Sequence, residues 1–386
     1  MIHTRRLVVS IDDQSLEVIE DDRCIYRFAI STAAKGMGFT LGSYRTPTGK
    51  FCISEKIGGD QESGIIFKGR SPVGLWRPGD CLDEDLILTR ILRIEGLDAE
   101  NANTFDRCVY IHATNQEKCL GRPASHGCIR LGNADMIKLF NIVNEGTELE
   151  IRPATKAGGK LFFIDCDSTL STIEGIDELG RARGADVFAR VVALTEAAMN
   201  GEIPISDVFS RRMEMIRPDR ALCDAIAARY VETIVPGAAG FIRGLKSDGW
   251  LPVILSGGFA PLIQPLAKEL GIEHVEAVPL YFDEAGNYHG YGADYPTTRN
   301  LGKNEIIREW RQAMLPQSVV MMGDGISDLE TKPDVDLFIG FGGVVARPVV
   351  QQSCDHWLTS MEGPVSLGDI MSARSITDLQ SDEPSN

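Results

Sequence analysis

Two pairs of aspartates each follow an apolar run in the second half of the chain. One run is followed by Asp165 and Asp167, and a later run is followed by Asp324 and Asp328. Carboxylates at the carboxyl end of parallel strands mark the usual ligand crevice of an α/β sheet. Two aspartates that flank one residue can share a hard divalent cation through oxygen ligands. These residue types are therefore suited to cation-assisted phosphoryl transfer.

Ser256 and Lys303 lie between the two aspartate pairs and add a hydroxyl and an ammonium group. These groups can bind a phosphoryl group and neutralise its charge. Each motif can also be purely structural when taken alone: Gly-Asp-Gly is a common turn, Asp-x-Asp a common helix cap, and a lysine is usually solvated. Their occurrence together, in this order, favours the catalytic interpretation.

The order of these motifs resembles that of the haloacid dehalogenase-type phosphatases, and closely their phosphoserine phosphatase branch, over about residues 160–365. The resemblance implies that Asp165 attacks phosphorus to form an aspartyl-phosphate. It implies that Asp167 protonates the leaving alcohol and then activates water. It also implies a Mg²⁺ ion held by Asp165, the backbone carbonyl of Asp167 and Asp324, with Asp328 supporting the metal or Lys303. The implied phosphoryl-binding set is Ser256, Gly257 and Lys303.

The same resemblance implies how the substrate is recognised. Glu174 stands where the family has a glutamate that reads the substrate ammonium, and Arg212 is the expected carboxylate partner in a cap segment. Ile205 stands where a phenylalanine is expected, and Ser327 where the fourth motif usually has asparagine. The expected substrate is phosphoserine, with another small phosphorylated metabolite left open.

A cysteine flanked by histidines and an arginine marks a second possible site, in the first half of the chain. His112 precedes a run from Ser125 to Arg130 that reads Ser-His-Gly-Cys-Ile-Arg, with the cysteine at position 128. A cysteine acts as a nucleophile only as thiolate, so it needs a lowered pKa or an adjacent base. Gly127 allows a tight turn, and backbone N–H groups there could face a developing oxyanion.

The same segment is also compatible with two roles that involve no nucleophile. A lone cysteine is usually a small buried hydrophobic residue. A metal site is the second alternative, although the spacing fits no common zinc pattern. The residues available for it are Cys108, His112, Cys119, His126 and Cys128.

Residues 5–152 nevertheless resemble the L,D-transpeptidase catalytic domain, through this run and an upstream Thr-Pro-Thr-Gly-Lys-Phe segment at 46–51. The resemblance implies that Cys128 attacks a peptidoglycan stem peptide, with His112 as general base oriented by the carbonyl of Ala113. Arg130 would contact the substrate or transition state. The implied loop and oxyanion-hole residues are Ser125, His126 and Gly127.

The residue pattern predicts two domains joined by a linker. Short β-rich runs between turns predict a mainly β first domain, a transpeptidase-like β-sandwich, with one helix over 133–143 capped by Asn133. Apolar runs separated by helical stretches then predict a parallel α/β Rossmann-like sheet with an inserted helical cap. The expected divisions are 1–153 for the first domain, 154–160 for the linker, 161–371 for the second domain, about 174–235 for its cap and 372–386 for a flexible tail.

Composition excludes several classes of function. The 386 residues include 39 Lys and Arg against 55 Asp and Glu, a formal net charge of −16. A chain this acidic is a poor general binder of nucleic acid or anionic lipid. No apolar run reaches the roughly 18–20 residues of a membrane span, and the amino terminus does not resemble a signal peptide. We therefore expect a cytoplasmic protein without membrane insertion.

The leading hypothesis is a bifunctional enzyme that combines a Mg²⁺-dependent phosphomonoesterase with a cysteine acyl-transfer domain. Its substrates would be a small phosphorylated metabolite and peptidoglycan or its soluble peptide fragments. One alternative keeps the phosphatase and makes the first domain a peptidoglycan-binding or regulatory module. Another treats the whole chain as a metal-binding structural protein.

Overall fold

The computed structural model describes residues 5–80, 84–156, 158–199 and 205–362, and the side chains of 195–206 are not included. The predicted tail from residue 372 lies outside these residues. The chain divides into two compact units: Met1–Gly158 with Trp310–Leu315, and Gly159–Glu309 with the residues from Pro316 onward.

The first unit is rich in strands, as predicted. Its strands are β1 Arg5–Ser10, β2 Ser15–Glu20, β3 Arg23–Ala29, β4 Gly49–Ile57, β5 Ile65–Lys68, β6 Ser71–Leu75, β7 Ile87–Gly96, β8 Tyr110–Ala113, β9 Ile129–Leu131 and β10 Glu148–Arg152. They form one ten-stranded sheet with the order β3-β2-β1-β10-β4-β7-β5-β6, in which β8 pairs with β7 and β9. The parallel pair β8 and β9 carries the residues around the thiol.

Helix α1 of the first unit spans Asn133–Ile142 and packs apolar side chains such as Leu139 into the core. The prediction that Asn133 caps this helix is wrong, because Gly132 is the N-cap residue and Asn133 is the first helical residue. The Asn133 amide instead donates hydrogen bonds to the carbonyl of Thr114 and to Glu117 Oε1. It joins the helix to the loop that follows β8.

The second unit contains the predicted parallel sheet. Its six strands are β11 Lys160–Ile164, β12 Trp250–Phe259, β13 His274–Val278, β16 Ser318–Gly323, β17 Leu337–Phe341 and β18 His356–Leu358, and a separate hairpin pairs β14 Leu280–Phe282 with β15 Tyr288–Tyr291. The sheet order is β13-β12-β11-β16-β17-β18, and every pairing in it is parallel. The order reverses between β11 and β16, which is where α/β sheets bind ligands.

Buried apolar residues account for this arrangement. Leu161, Phe162, Phe163 and Ile164 of β11 are all buried, as expected for a central strand covered on both faces. The Phe162 ring makes edge-to-face contacts with Phe241 and Trp250. Such a continuous apolar run cannot face water on either side, so β11 takes the middle of the sheet.

Four helices occupy the predicted cap: α2 Gly175–Ala182, α3 Ala185–Met199, α4 Ile205–Ile216 and α5 Arg220–Glu232. The others are α6 Ala238–Ser247, α7 Ala260–Glu269, α8 Gly302–Met314, α9 Ile326–Leu329 and α10 Pro348–Ser353. Asp219 caps α5, with its side chain accepting a hydrogen bond from the N–H of Leu222. Residues 196–201 of the predicted cap lie outside the described side chains.

Candidate active sites

A cavity of about 240 Å³ lies at the carboxyl end of the second unit's sheet. Asp165 follows β11 and Asp324 follows β16, the two strands between which the sheet order reverses. The N–H of Asp165 donates to the carbonyl of Met322 at 2.9 Å, which holds the two strand ends together. The cavity is lined by nine residues predicted from the sequence: Asp165, Asp167, Glu174, Arg212, Ser256, Gly257, Lys303, Asp324 and Asp328.

Lys303, on α8, is buried and lines this cavity. Its Nζ donates to Asp165 Oδ1 at 2.7 Å and to Asp328 Oδ1 at 2.5 Å. Burial alone would lower the pKa of the Lys303 ammonium, but the two carboxylates outweigh burial and raise it. The ammonium therefore stays charged and fixes the positions of both carboxylates.

Three buried carboxylates cluster in this cavity, two of them in contact with the Lys303 ammonium. Asp165, Asp324 and Asp328 each place an oxygen within 4.8 Å of the others, and all three are buried. Burial and then the neighbouring Asp328 raise the pKa of Asp165 and that of Asp324, the latter to about 6. A cluster of buried oxygens with too little positive charge is the donor set that a hard divalent cation prefers. These residues thus fit Mg²⁺.

The Asp328 carboxylate packs closely against Gly323, and this contact requires glycine at that position. A Cβ atom at Gly323 would overlap the Asp328 side chain, so a larger residue there would push the carboxylate away. The N–H of Gly325 donates to Asp328 Oδ2 at 2.9 Å. The Gly-Asp-Gly segment is therefore both a turn and a support for the cluster.

The carboxylate of Asp167 lies outside the three-carboxylate cluster. Its Oδ1 accepts a hydrogen bond from the hydroxyl of Tyr230. Burial, and then the charge of Glu174, raise the pKa of Asp167 to about 7. A carboxyl group with a pKa in this range is suited to give up and take back a proton near neutral pH.

The residues predicted to recognise the substrate line the same cavity. Glu174 accepts a hydrogen bond from Ser168 Oγ at 2.7 Å, and burial lowers the pKa of Arg212. Sequence reasoning missed Arg347, whose Nε donates to Asp324 Oδ2 at 3.1 Å, and Phe209 of α4, which also lines the cavity. Neither lies in a motif, so only their position in the fold identifies them.

In the first unit, the thiol of Cys128 lies just before β9, next to β8. The N–H of Tyr110 donates to Cys128 Sγ at 3.4 Å. His112 is buried on β8, and its Nδ1 lies 2.8 Å from the carbonyl oxygen of Ala113. Because a carbonyl can only accept, Nδ1 carries the proton and Nε2 is left as the basic nitrogen. The predicted orientation of His112 by Ala113 is thus present.

The loop before Cys128 is held by buried hydroxyls. Ser125 Oγ donates to the carbonyl of Cys128 at 2.6 Å and accepts from the N–H of Gly127 at 3.2 Å. Thr46 Oγ1 donates to the carbonyl of Gly127 at 3.0 Å, which brings in the upstream Thr-Pro-Thr-Gly segment. Gly127 has a φ of 119°, in the region that favours glycine.

Arg130, which is predicted to contact the substrate or transition state, points into the first unit. The Arg130 side chain is fully buried and forms an ion pair with Asp85 at 2.9 Å, so it supports the loop from within. His126 is exposed, with its Nδ1 3.7 Å from the same aspartate. Burial opposes ionisation of Asp85, but His126 and Arg130 outweigh it and lower the pKa of Asp85 to about 2. Sequence reasoning missed Asp85, which belongs to no motif.

The alternative of a cysteine and histidine metal site gains no support. Among the described residues, the convergent group of potential ligands is the aspartate cluster of the second unit. Burial raises the pKa of the Cys128 thiol to about 11, and burial also lowers the pKa of His112. The thiol and the imidazole are therefore both neutral, so the cysteine would have to be deprotonated as it reacts.

The fold and the cavity define the second unit as an α/β domain with a carboxylate-rich site under a helical cap. A family model of the haloacid dehalogenase-like hydrolases matches residues 162–331, and one of the L,D-transpeptidase catalytic domain matches residues 4–151. The phosphoserine phosphatase of Drosophila melanogaster is 36% identical over 206 residues, which are 53% of this chain and 76% of that protein. That of Mus musculus is 33% identical over 198 residues, 51% of this chain and 87% of the relative.

A solved structure of a phosphoserine phosphohydrolase-like protein from Francisella tularensis also aligns, with a TM-score of 0.45 and 20% identity over 56% of this chain and 99% of that one. The chain belongs to the phosphoserine phosphatase family of haloacid dehalogenase-like hydrolases, and it carries an additional domain of the L,D-transpeptidase catalytic type.

Within the described residues, every helix is too short or too polar to cross a membrane.

The raised pKa of Cys128 predicts how its reactivity depends on pH. Because the thiol is protonated at neutral pH, the rate of alkylation by iodoacetamide should rise about tenfold per pH unit between pH 7 and 10. Mass spectrometry of the peptide containing Cys128 measures this rate. In urea-unfolded protein, which serves as the reference, the rate should level off near pH 9. A plateau below pH 8 in the folded protein would contradict the raised pKa.

Proposed function

We propose that this protein is a Mg²⁺-dependent phosphomonoesterase that acts on phosphoserine or a similar small phosphorylated metabolite through an aspartyl-phosphate. The main support is the Lys303 ammonium, held between Asp165 and Asp328 in a cavity that the helical cap also lines. Lys303 holds Asp165 in one position, so that the carboxylate can attack a bound phosphoryl group in line.

The reaction would proceed in two halves. In the first, an oxygen of Asp165 bonds to phosphorus, the P–O bond to the alcohol breaks, and Asp167 gives its proton to the departing alkoxide. In the second, water attacks the phosphorus as Asp167 takes a proton from it, which restores Asp165 and releases inorganic phosphate. Mg²⁺, when bound by Asp165, the Asp167 carbonyl and Asp324, would neutralise charge on the phosphoryl oxygens.

Other residues would bind and select the substrate. Ser256, Gly257 and Lys303 would contact the phosphoryl group, and the side chain of Ser256 is already fixed by accepting a hydrogen bond from the N–H of Gly258 at 2.9 Å. Glu174 and Arg212 carry the opposite charges needed for the ammonium and carboxylate of an amino acid. The cavity of about 240 Å³ suits a small metabolite.

A second candidate activity is peptide acyl transfer by the first unit. The observation that favours it is the arrangement of His112, whose Nε2 is left basic by the bond from Nδ1 to Ala113. Cys128 would attack the stem-peptide carbonyl, lose its proton to His112 and expel D-alanine, and the acyl group would then pass to an amine or water. In the alternative, this unit binds peptidoglycan or regulates the phosphatase.

The phosphatase proposal predicts that Asp165→Asn abolishes hydrolysis. The amide keeps the shape of the carboxylate but cannot attack phosphorus, so phosphate release from phosphoserine should fall by about 10³-fold or more. EDTA should stop the wild-type reaction and added Mg²⁺ should restore it. Asp248→Asn, which changes an exposed carboxylate at the end of α6, should leave the rate unchanged. Full activity of Asp165→Asn, or activity in EDTA, would contradict the proposal.

The acyl-transfer proposal predicts a covalent adduct on Cys128. A carbapenem acylates such a thiol, so intact-protein mass spectrometry should show one adduct on the wild type and none on Cys128→Ser. His112→Gln, which removes the base, should slow adduct formation by about 10²-fold or more. Binding of peptidoglycan fragments without any adduct on folded wild-type protein would instead favour the binding-module alternative.

A further inference from the structure

Tyr230 is fully buried in the second unit, near the carboxyl end of α5. It belongs to none of the motifs found in the sequence. Its hydroxyl donates to Asp167 Oδ1, the carboxylate of the proposed proton donor. A buried tyrosine hydroxyl requires an acceptor, whereas phenylalanine would fill the same space without that requirement. Phenylalanine would therefore satisfy the packing at this position, and what tyrosine adds is the hydrogen bond from its hydroxyl to Asp167.

The contact between Tyr230 and Asp167 depends on a glycine of another helix. Gly175 is the first residue of α2. A Cβ atom at position 175 would overlap the Tyr230 hydroxyl, so glycine leaves the space that the hydroxyl occupies. The contact thus depends on residues of two cap helices, α2 and α5.

The other oxygen of Asp167 is close to the cavity lining, to which Asp167 itself belongs. A Cβ atom at Gly258 would be 3.0 Å from Asp167 Oδ2 and 3.1 Å from Ser256 Oγ, and Gly258 and Ser256 both line the cavity. Oδ1 is therefore engaged by a fully buried hydroxyl, while Oδ2 and the proposed phosphoryl-binding hydroxyl both lie next to Gly258. A proton donor works best when its oxygen is already fixed against the departing atom.

We propose that Tyr230 is a positioning residue for phosphoryl transfer, which by engaging Oδ1 keeps Asp167 Oδ2 directed at the leaving alcohol. This inference rests on the proposed phosphatase function. In the step concerned, the Asp165 oxygen bonds to phosphorus, the P–O bond to the alcohol breaks, and the proton on Asp167 passes to the alkoxide oxygen. Without the hydroxyl, the carboxyl group of Asp167 can rotate and its productive orientation is less populated.

Tyr230→Phe tests the proposal through the leaving group. The value of kcat/KM for phosphoserine should fall about tenfold, because its alkoxide needs the proton. For acetyl phosphate it should change by less than about twofold, because acetate departs without a proton. Since kcat/KM covers only the steps up to loss of the leaving group, the later attack by water does not affect the comparison.

Two controls separate positioning from a general structural effect. Tyr295→Phe removes another hydroxyl of the same unit, which donates to Glu276 Oε2 at 2.6 Å. Neither Tyr295 nor Glu276 lines the cavity, so kcat/KM for both substrates should be unchanged. In an Asp167→Asn background, Tyr230→Phe should have no further effect on phosphoserine, because a positioning residue acts only through the group it holds.

Equal losses on the two substrates, an unchanged kcat/KM for phosphoserine, or an additive effect in the Asp167→Asn background would overturn the proposal. If Tyr230→Phe does not fold, Gly175→Ala provides the same test, because its methyl group displaces the hydroxyl from Asp167. Gly175→Ala should then show the same loss, selective for phosphoserine. Wild-type protein that hydrolyses neither substrate would contradict the phosphatase function itself and not the role of Tyr230.

Discussion

The arrangement of carboxylates in the second unit depends on one buried ammonium group. Lys303 contacts Asp165, which is 138 residues away in sequence, and Asp328, which is 25 residues away, and all three are buried. A buried charge is tolerated only when oppositely charged groups are fixed around it. The ends of β11 and β16 must therefore meet the start of α8, which carries Lys303. That requirement and the parallel sheet order together place the carboxylates at the point where the strand order reverses.

The candidate sites of the two units have contrasting electrostatics. In the second unit, burial and the neighbouring Asp328 raise the pKa values of Asp165 and Asp324, and a bound cation and Lys303 would together neutralise the excess negative charge. In the first unit, Cys128 and His112 are both held in neutral form by burial, and the nearby charges of Arg130 and Asp85 are paired with each other. The first site would therefore create charge only as it reacts, whereas the second holds charge in advance.

Much of the fold and of the candidate sites was predictable from the sequence, because apolar runs and short motifs carry local information. The apolar run of β11 predicted a strand of a parallel sheet covered on both faces, and the resemblance carried by the motifs around Asp165 and Lys303 implied their convergence. Side-chain direction was not predictable: nothing in a Ser-His-Gly-Cys-Ile-Arg run shows that Arg130 points inward to Asp85. Tyr230 was also missed, because its contact with Asp167 arises only when α5 meets the segment that follows β11.

The most direct test of the central claim is to trap the phosphorylated enzyme. Wild-type protein mixed with ³²P-labelled phosphoserine and Mg²⁺ would be quenched in acid within milliseconds, digested, and the labelled peptide identified. The account predicts a phosphate that hydroxylamine releases, carried by the peptide containing Asp165 and absent from Asp165→Asn. Turnover of phosphoserine with the label on another residue, or with no labelled protein at any quench time, would contradict it.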